Sequence, residues 1–235
     1  MSTLVGIVGS AGTGKSTSFF PEEKLGIIGL DPKATFIINV SGKPFPFRGW
    51  RKTYTLFKGK EGNYLNSEDA GVISKAMVYV NNERPEITNI VIDDFQYLMA
   101  FEFVEKALRK DWDKWSEIAM HCMQVLNTGR QLRDNIKTFV LAHSEDVEMG
   151  FEVVKKIKTV GRFVDEKIEL PGLFTVLLYT KTTWDDPNKK MTYEFVTNKD
   201  NIYPAKSPYG MFDKIYIPND LGYVANSIDE YENNK

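Results

Sequence analysis

Cysteine and histidine are scarce in this 235-residue chain, which has one cysteine, Cys122, and two histidines. A single cysteine cannot form an internal disulfide, and the sequence has no cysteine spacing of the kind that binds zinc or an iron–sulfur cluster. The sequence therefore excludes a disulfide-stabilised scaffold and a cysteine-cluster metalloprotein. It is typical of a protein of the reducing cytoplasm.

The sequence also lacks a strong charge of either sign and any long apolar run. Its 30 basic and 32 acidic residues give a formal net charge of -2, so nucleic-acid binding would have to be local. No apolar run approaches the roughly 18 residues of a membrane span, and residues 1–8 show neither a basic leader nor a cleavage site. We therefore expect neither secretion nor membrane insertion. The composition, 42% hydrophobic and 26% charged, is that of a folded globular protein.

Short apolar runs that alternate with helical periodicity predict an α/β fold. We predict strands over residues 4–8, 25–30, 90–92, 138–142, 173–180 and 191–197. We predict helices over residues 17–20, 67–82, 95–110, 112–134 and from about 219 to the end. This order predicts three layers around a mostly parallel central sheet with a late antiparallel strand pair. With no repeat and no long linker, residues 1–235 are expected to form one domain.

Residues 32–60 are predicted to form an irregular or hairpin insert. They contain seven basic residues and no acidic one, interleaved with aromatic residues. Basic groups neutralise phosphates and aromatic rings stack on bases, so the insert is a candidate DNA contact. The basic residues to test would be Lys43, Arg48, Arg51 and Lys52. The other interpretation is a hairpin whose aromatic rings pack on the sheet and whose basic side chains are only solvated.

Residues 9–16 read Gly-Ser-Ala-Gly-Thr-Gly-Lys-Ser and match G-x-x-x-x-G-K-[ST] at every fixed position, between a predicted strand and a predicted helix. The glycines let backbone N–H groups converge on an anion, Lys15 reaches the β- and γ-phosphates, and Ser16 offers a hydroxyl to Mg²⁺. The motif predicts a phosphate loop for ATP and Mg²⁺. The expected nucleotide contacts are Gly9, Ser10, Ala11, Gly12, Thr13, Gly14, Lys15, Ser16 and Thr17.

Asp93 follows the apolar run of residues 90–92 and would lie at the carboxyl end of a buried strand. Ligands of open α/β sheets bind at that end, so Asp93 is predicted to hold Mg²⁺ through its water shell, together with Ser16. An acidic residue that ends a strand usually belongs to a solvated turn. The presence of a complete phosphate loop is what favours the metal role.

Hydrolysis also needs a group that positions or deprotonates water and a contact with the γ-phosphate. Asp31, at the end of the strand predicted over residues 25–30, and Asp94, next to Asp93, are equally good candidates for the first role, and a third alternative is that neither has it. His143 follows the strand predicted over residues 138–142, from which a side chain can contact a γ-phosphate. The predicted catalytic residues are Lys15, Asp31, Asp94 and His143.

The order of these segments resembles the RecA-type ATPase core. Residues 155–162, 165–167, 173–181 and 205–208 more narrowly resemble the phage-encoded AAA-type nucleotide-binding proteins, which include single-strand annealing ATPases. The resemblance covers roughly residues 3–220, and the phosphate loop is its specific motif. It implies a RecA-like sheet in which the strand that ends at His143 lies between the phosphate-loop strand and the Asp93 strand.

The resemblance implies a Mg²⁺-dependent ATPase of phage DNA recombination, which binds single-stranded DNA and promotes annealing or strand exchange in the cytoplasm of the infected host. It also implies a ring or filament of identical subunits, a phage single-strand binding protein as a partner, and a γ-phosphate sensor role for His143. The implied DNA contacts, in a stretch without acidic residues, are Lys155, Lys156, Lys158 and Arg162. The implied cations for a neighbouring subunit's nucleotide are Lys181, Lys199 and Lys206.

One feature departs from the family pattern. Recombinases carry a catalytic glutamate soon after the second strand, whereas residues 31–33 read Asp-Pro-Lys. Two alternatives therefore stay open: a nucleotide-gated DNA-binding switch with little turnover, and a small-molecule or nucleotide kinase. A kinase needs several arginines in a lid, and residues 130–162 contain only Arg130, Arg133 and Arg162.

Overall fold

The computed structural model describes residues 1–111, 113–150, 152–160, 168–187 and 189–233. The strands of these residues are β1 (Thr3–Gly9), β2 (Thr35–Asn39), β3 (Tyr64–Asn66), β4 (Asn89–Asp93), β5 (Lys137–Met149), β6 (Glu152–Ile157), β7 (Val176–Asp185), β8 (Lys190–Val196) and β9 (Tyr216–Pro218). The α-helices are α1 (Trp50–Thr53), α2 (Ala70–Glu83), α3 (Gln96–Glu105), α4 (Asp113–Gln131), α5 (Leu170–Leu173) and α6 (Leu221–Asn233). Within the described ranges, no helix is both long and apolar enough to cross a membrane.

One central sheet has the strand order β3-β2-β4-β5-β1-β7-β8-β9, with β6 paired to the outer part of β5. The first six strands of this order run parallel, and β8 and β9 are antiparallel to their neighbours. The predicted α/β fold with a mostly parallel sheet and a late antiparallel pair is confirmed. Strand β5 separates β1 from β4, as the RecA-type resemblance implies. We call the edge at which the parallel strands end the carboxyl edge.

Two apolar clusters fill the spaces on either side of the sheet. Alternate residues of a strand point to opposite faces, so Leu4 and Val8 join one cluster while Val5 and Ile7 join the other. The first cluster packs the sheet against α2, α3 and α4. The second packs it against α6 and an aromatic group from the first third of the chain. The fold therefore has three layers.

The strand predicted over residues 25–30 is wrong. Leu25 and Ile28 are 67% and 58% exposed, so most of this apolar run is not buried, although Leu30 is. Gly26 and Gly29 have φ angles of 68° and 65°, in the left-handed region that favours glycine. Two such turns within four residues break an extended chain, and the segment forms a short 3₁₀ helix and turns instead.

The true second strand, β2, lies inside the segment that was predicted to be an insert. All five of its residues are buried, and it pairs with β3 and β4. The irregular segment therefore begins after Asn39. Its rings Phe45 and Tyr54 are buried in the second apolar cluster, where Phe47 and Trp50 pack against them. This packing supports the interpretation in which the aromatic residues of the segment serve the core rather than stack on DNA bases.

Arg133 holds the amino edge of the sheet together. Its guanidinium donates to the carbonyl oxygens of Val80 (3.0 Å) and Asn81 (2.6 Å), which end α2, and to those of Arg84 (2.9 Å) and Ile87 before β4. A guanidinium with these bonds is not available as a lid group over a phosphate. The structure therefore places one of the three arginines on which a kinase lid would depend in a purely structural contact.

We expect Arg133→Ala to lower the free energy of unfolding by about 2–4 kcal/mol, because it leaves several partly buried carbonyl oxygens without a donor. Urea unfolding monitored by circular dichroism measures this change. Arg130→Ala is the matched control, since the side chain of Arg130 donates to Asn127 of its own helix (3.4 Å). If both variants lowered the free energy of unfolding equally, the carbonyl contacts of Arg133 would not be a special source of stability.

Candidate nucleotide site

The phosphate loop leaves β1 at the carboxyl edge of the sheet. Gly9 ends β1 beside His143 of β5, while Val8 lies beside Tyr179 of β7. A Cβ at Gly9 would overlap the hydroxyl oxygen of Thr180, so only glycine fits at this position. Gly12 and Gly14 have φ angles of 76° and 87°, which let the loop turn back over the strand end.

Residues far away in the sequence hold the loop in this shape. Thr180 Oγ1 donates to Thr13 Oγ1 (2.8 Å), and Thr13 Oγ1 donates to the carbonyl oxygen of Ser10 (2.8 Å). Asn219, just before α6, donates from Nδ2 to the carbonyl oxygen of Thr13 (3.1 Å). Sequence analysis missed Thr180 and Asn219, which lie 167 and 206 residues from Thr13. No local motif marks either residue.

Lys15 lies folded into the loop. Its Nζ donates to the carbonyl oxygens of Gly9 (2.7 Å) and Ser10 (2.8 Å), and the residue is 5% exposed. Burial lowers the pKa of Lys15 to about 8, although the charges of Asp94 and Asp93 oppose the shift. Phosphate oxygens could replace the two carbonyl oxygens as acceptors, so the ammonium is in place for a bound triphosphate.

The prediction of a helix over residues 17–20, after the loop, is wrong, because the chain makes only a single turn there. Ser18 N donates to the carbonyl oxygen of Gly14 (3.0 Å), but residues 17–20 form turns rather than an α-helix. Pro21 lacks a donor and ends the turn. The anion site therefore depends on the loop's own N–H groups and on Lys15, with little contribution from a helix dipole.

Ser16 and Asp93, the predicted metal pair, are in contact. Ser16 Oγ donates to Asp93 Oδ1 (2.9 Å) and Oδ2 (3.0 Å). Burial, and after it the charge of Asp94, raises the pKa of Asp93 to about 7. A hydroxyl beside a buried carboxylate is an oxygen donor set that suits Mg²⁺, and a cation would offset the cost of the buried charge. The residues fit the ion.

No group of three or more His, Cys, Asp or Glu side chains that could hold a metal ion occurs in the part of the chain that the structure describes. Mg²⁺ at Ser16 and Asp93 would therefore complete its shell with water and phosphate oxygens, as this ion usually does in nucleotide sites. This arrangement fits an ion that arrives with the nucleotide.

Asp94 is buried at the centre of the site and has a φ angle of 61°. Its carboxylate pairs with Lys43 Nζ and lies 3.3 Å from His143 Nε2. Burial would raise the pKa of Asp94, but the hydrogen bond with His143 and the paired ammonium of Lys43 outweigh it and hold the pKa well below the usual range. Asp94 and His143 therefore meet at the carboxyl edge, as their predicted roles require.

Asp31, the other predicted water-orienting group, is in the wrong place for that role. It precedes the amino end of β2 and accepts a hydrogen bond from Lys33 N (3.0 Å). Strand β2 runs parallel to β1, so Asp31 lies at the edge of the sheet opposite the phosphate loop. The error follows from the wrong second strand, whose end Asp31 was taken to mark.

The predicted DNA-contacting lysines lie on or beside β6, which forms a hairpin with the outer part of β5. Lys155 is paired with Asp146 (2.7 Å), and Lys156 lies opposite Glu145. The stretch is free of acidic residues in sequence, but its partner strand supplies them. Lys158 is exposed and follows the end of β6, whereas Arg162 lies outside the described residues.

The three cations predicted to reach a neighbouring subunit differ in their surroundings. Lys181 Nζ lies 3.8 Å from the centre of the Tyr216 ring of the same chain. Lys206 pairs through its backbone with Leu177 of β7, and Lys199 is exposed. A role for them in a second subunit stays a prediction.

Comparisons with known proteins give a distant structural likeness. No protein-family model and no curated protein matches the chain. Among solved structures, the chain is similar to the KaiC-like protein PH0186 from the hyperthermophilic archaeon Pyrococcus horikoshii OT3, with a TM-score of 0.42 and 11% identity over 84% of this chain and 78% of that one. A likeness at this level assigns no function, so function rests on the geometry of the site.

Proposed function

We propose that this protein binds ATP with Mg²⁺ at the phosphate loop and hydrolyses it, and that the nucleotide controls contact with single-stranded DNA in annealing or strand exchange during phage recombination. The observation that carries the nucleotide part is the meeting of Lys15, Ser16 and Asp93 at one edge of the sheet. These are the groups that a magnesium-bound triphosphate requires.

Each residue would have a separate task. The N–H groups of residues 9–16 would bind the phosphate oxygens, and Lys15 would neutralise the β- and γ-phosphates. Ser16 and Asp93 would hold Mg²⁺, which offsets phosphate charge when it is bound. Asp94, oriented by His143, would accept a hydrogen bond from the attacking water.

The DNA part of the proposal depends on the β5–β6 hairpin, which begins at the nucleotide site. Ser144 Oγ lies 3.2 Å from Ser10 Oγ of the phosphate loop. The carbonyl oxygen of His143 accepts a hydrogen bond from Lys158 N (2.8 Å). A shift of the loop on nucleotide binding would therefore move the base of the hairpin. Because Lys155 is already paired with Asp146, the DNA contact would rest mainly on Lys158.

A nucleotide-gated switch with little turnover is the second candidate, and the true end of β2 favours it. Residues 39–43 read Asn-Val-Ser-Gly-Lys, so no acidic residue follows the second strand at the carboxyl edge. Hydrolysis would then depend on Asp94, whose low pKa makes it a weak base. The kinase alternative loses support, because Arg133 is bound to backbone carbonyls at the amino edge.

Phosphate release from ATP, with Mg²⁺ or EDTA and with or without single-stranded DNA, tests the proposal. We expect turnover that requires Mg²⁺, rises with DNA and disappears in Lys15→Ala. We expect Lys158→Glu to remove at least half of the DNA stimulation while nucleotide affinity is unchanged. Lys75→Glu, at an exposed position of α2, is the matched charge reversal and should behave as wild type.

The same experiment separates the alternatives. ATP binding without phosphate release, combined with DNA binding that depends on ATP, would replace hydrolysis with the switch. Transfer of phosphate to an added nucleoside monophosphate would establish a kinase instead. Equal loss of DNA stimulation and nucleotide affinity in Lys158→Glu would refute the hairpin as the DNA contact.

A further inference from the structure

Lys43 lies in the tight turn after β2, at the same edge of the sheet as the phosphate loop. Asn39, the last residue of β2, is aligned with Asp93 of β4, so this turn begins one strand away from the metal-side carboxylate. In the sequence, Lys43 looks like one of several basic residues of an insert. In the fold, it belongs to the nucleotide site.

The backbone of this turn is rigidly held. The fully buried side chain of Asn39 donates from Nδ2 to the carbonyl oxygen of Lys43 (2.8 Å). Its Oδ1 accepts from Gly42 N (3.0 Å) and from Ser41 Oγ (3.2 Å). The side chain of Lys43 is nevertheless 52% exposed, so it is not confined by packing. Because the backbone is held and the side chain is half-exposed, the Lys43 ammonium can move to another partner while the fold stays the same.

The ammonium of Lys43 is held by Asp94, the carboxylate next to Asp93. The positive charge of Lys43 lowers the pKa of Asp93 and that of Lys15. Lys43 is therefore close enough to interact with both the predicted metal ligand and the phosphate-loop lysine. The site thus contains two lysines and two aspartates, and a bound triphosphate would add several negative charges to it. A phosphate oxygen would compete with Asp94 for the ammonium.

Lys43 can exchange partners because its side chain is half-exposed, so water already competes with Asp94 for the ammonium. Asp94 would keep its contact with His143 when the ammonium leaves. The new bond to phosphate would be charge-assisted, as the bond to Asp94 is. When Lys43 moves to a phosphate oxygen, Asp94 Oδ2 becomes free to accept a hydrogen bond from water. Binding of the triphosphate by Lys43 would then also free Asp94 to orient the attacking water.

We propose that Lys43 binds the terminal phosphate of a nucleoside triphosphate from within the same chain and thereby distinguishes a triphosphate from a diphosphate. This assignment rests on the proposed function, since it requires a nucleotide at the phosphate loop. It differs from the cations predicted to act from a neighbouring subunit, because Lys43 needs no second copy of the chain.

Equilibrium binding of Mg²⁺-ATPγS and Mg²⁺-ADP, measured by calorimetry, tests the assignment without relying on turnover. We expect Lys43→Gln to weaken ATPγS binding by about tenfold or more and to change ADP binding by about twofold or less. Lys43→Arg keeps the charge and should retain most of the preference for the triphosphate. Lys58→Gln removes an exposed charge from residues 32–60, to which Lys43 also belongs, and should match wild type. Thermal unfolding without nucleotide checks that each variant is folded.

The outcomes separate this assignment from the proposed function. If wild type binds both nucleotides and Lys43→Gln weakens both equally, or neither, then Lys43 does not recognise the terminal phosphate although the nucleotide site stands. If wild type binds neither nucleotide, the proposed function fails and the assignment of Lys43 fails with it. A tenfold loss confined to ATPγS supports both.

Discussion

Asp93→Asn is expected to abolish Mg²⁺-dependent turnover and, at the same time, to stabilise the nucleotide-free protein. The Asp93 carboxylate is fully buried. Among the described residues, the side chain that donates hydrogen bonds to it is Ser16. Asparagine has the same shape, still accepts a hydrogen bond from Ser16 and carries no charge. The buried charge costs stability without a cation, but it is the group that would hold Mg²⁺.

We expect turnover to fall by at least about 100-fold. We expect the free energy of unfolding without nucleotide to rise by roughly 1–3 kcal/mol. Phosphate release as a function of Mg²⁺ concentration and urea unfolding without nucleotide measure the two effects. Asp31→Asn is the control for the loss of an aspartate charge, because Asp31 lies at the opposite edge of the sheet. A destabilised Asp93→Asn protein with normal turnover would make Asp93 a structural residue rather than a metal-side carboxylate.

Asp94→Asn is expected to lower turnover by about 100-fold or more while the affinity for Mg²⁺-ATP changes by about threefold or less. The φ angle of Asp94 is 61°, a conformation that asparagine adopts more readily than most residues, so the backbone of the site should be preserved. The variant removes the negative charge that Lys43 and His143 surround. Binding depends mainly on the phosphate loop, which this change does not touch.

Asp31→Asn is again the matched comparison, because sequence patterns alone favoured the two aspartates equally. We expect its turnover to stay within about twofold of wild type, since Asp31 is on the far side of the sheet and asparagine can still accept the bond from Lys33 N. Single-turnover phosphate release and nucleotide titration of both variants show which of the two aspartates orients the water. Normal turnover in Asp94→Asn, or a large loss in Asp31→Asn, would reject Asp94 as the water-orienting group.

Part of the site could be predicted because its signals are local. Residues 9–16 combine glycines, Lys15 and Ser16 in one octapeptide, and the chemistry of phosphate binding requires those residue types at that spacing. The strand that delivers Asp93 is a β-branched run with polar residues on both sides, which is typical of a parallel strand buried on both faces. Helical periodicity likewise predicted α3 and α4.

Other parts could not be predicted because apolar runs do not reveal where they will be buried. Residues 25–30 are as apolar as β2, but Gly26 and Gly29 turn the chain away from the sheet. That one error displaced the second strand and led to the wrong role for Asp31. The acid-free stretch of β6 similarly gave no indication of Asp146, which pairs with Lys155 from the neighbouring strand.

The sequence by itself determined the phosphate loop, the buried strand that ends at Asp93 and the α/β class, because each depends on the order and type of neighbouring residues. The tertiary structure alone decided that Asp94 rather than Asp31 faces the phosphate loop and that Lys43 shares the site with Lys15. It also decided that Thr180 and Asn219 hold the loop. The physical reason is strand order: parallel pairing brings the ends of β2, β4, β5, β1 and β7 to one edge, and residues separated by most of the chain meet there.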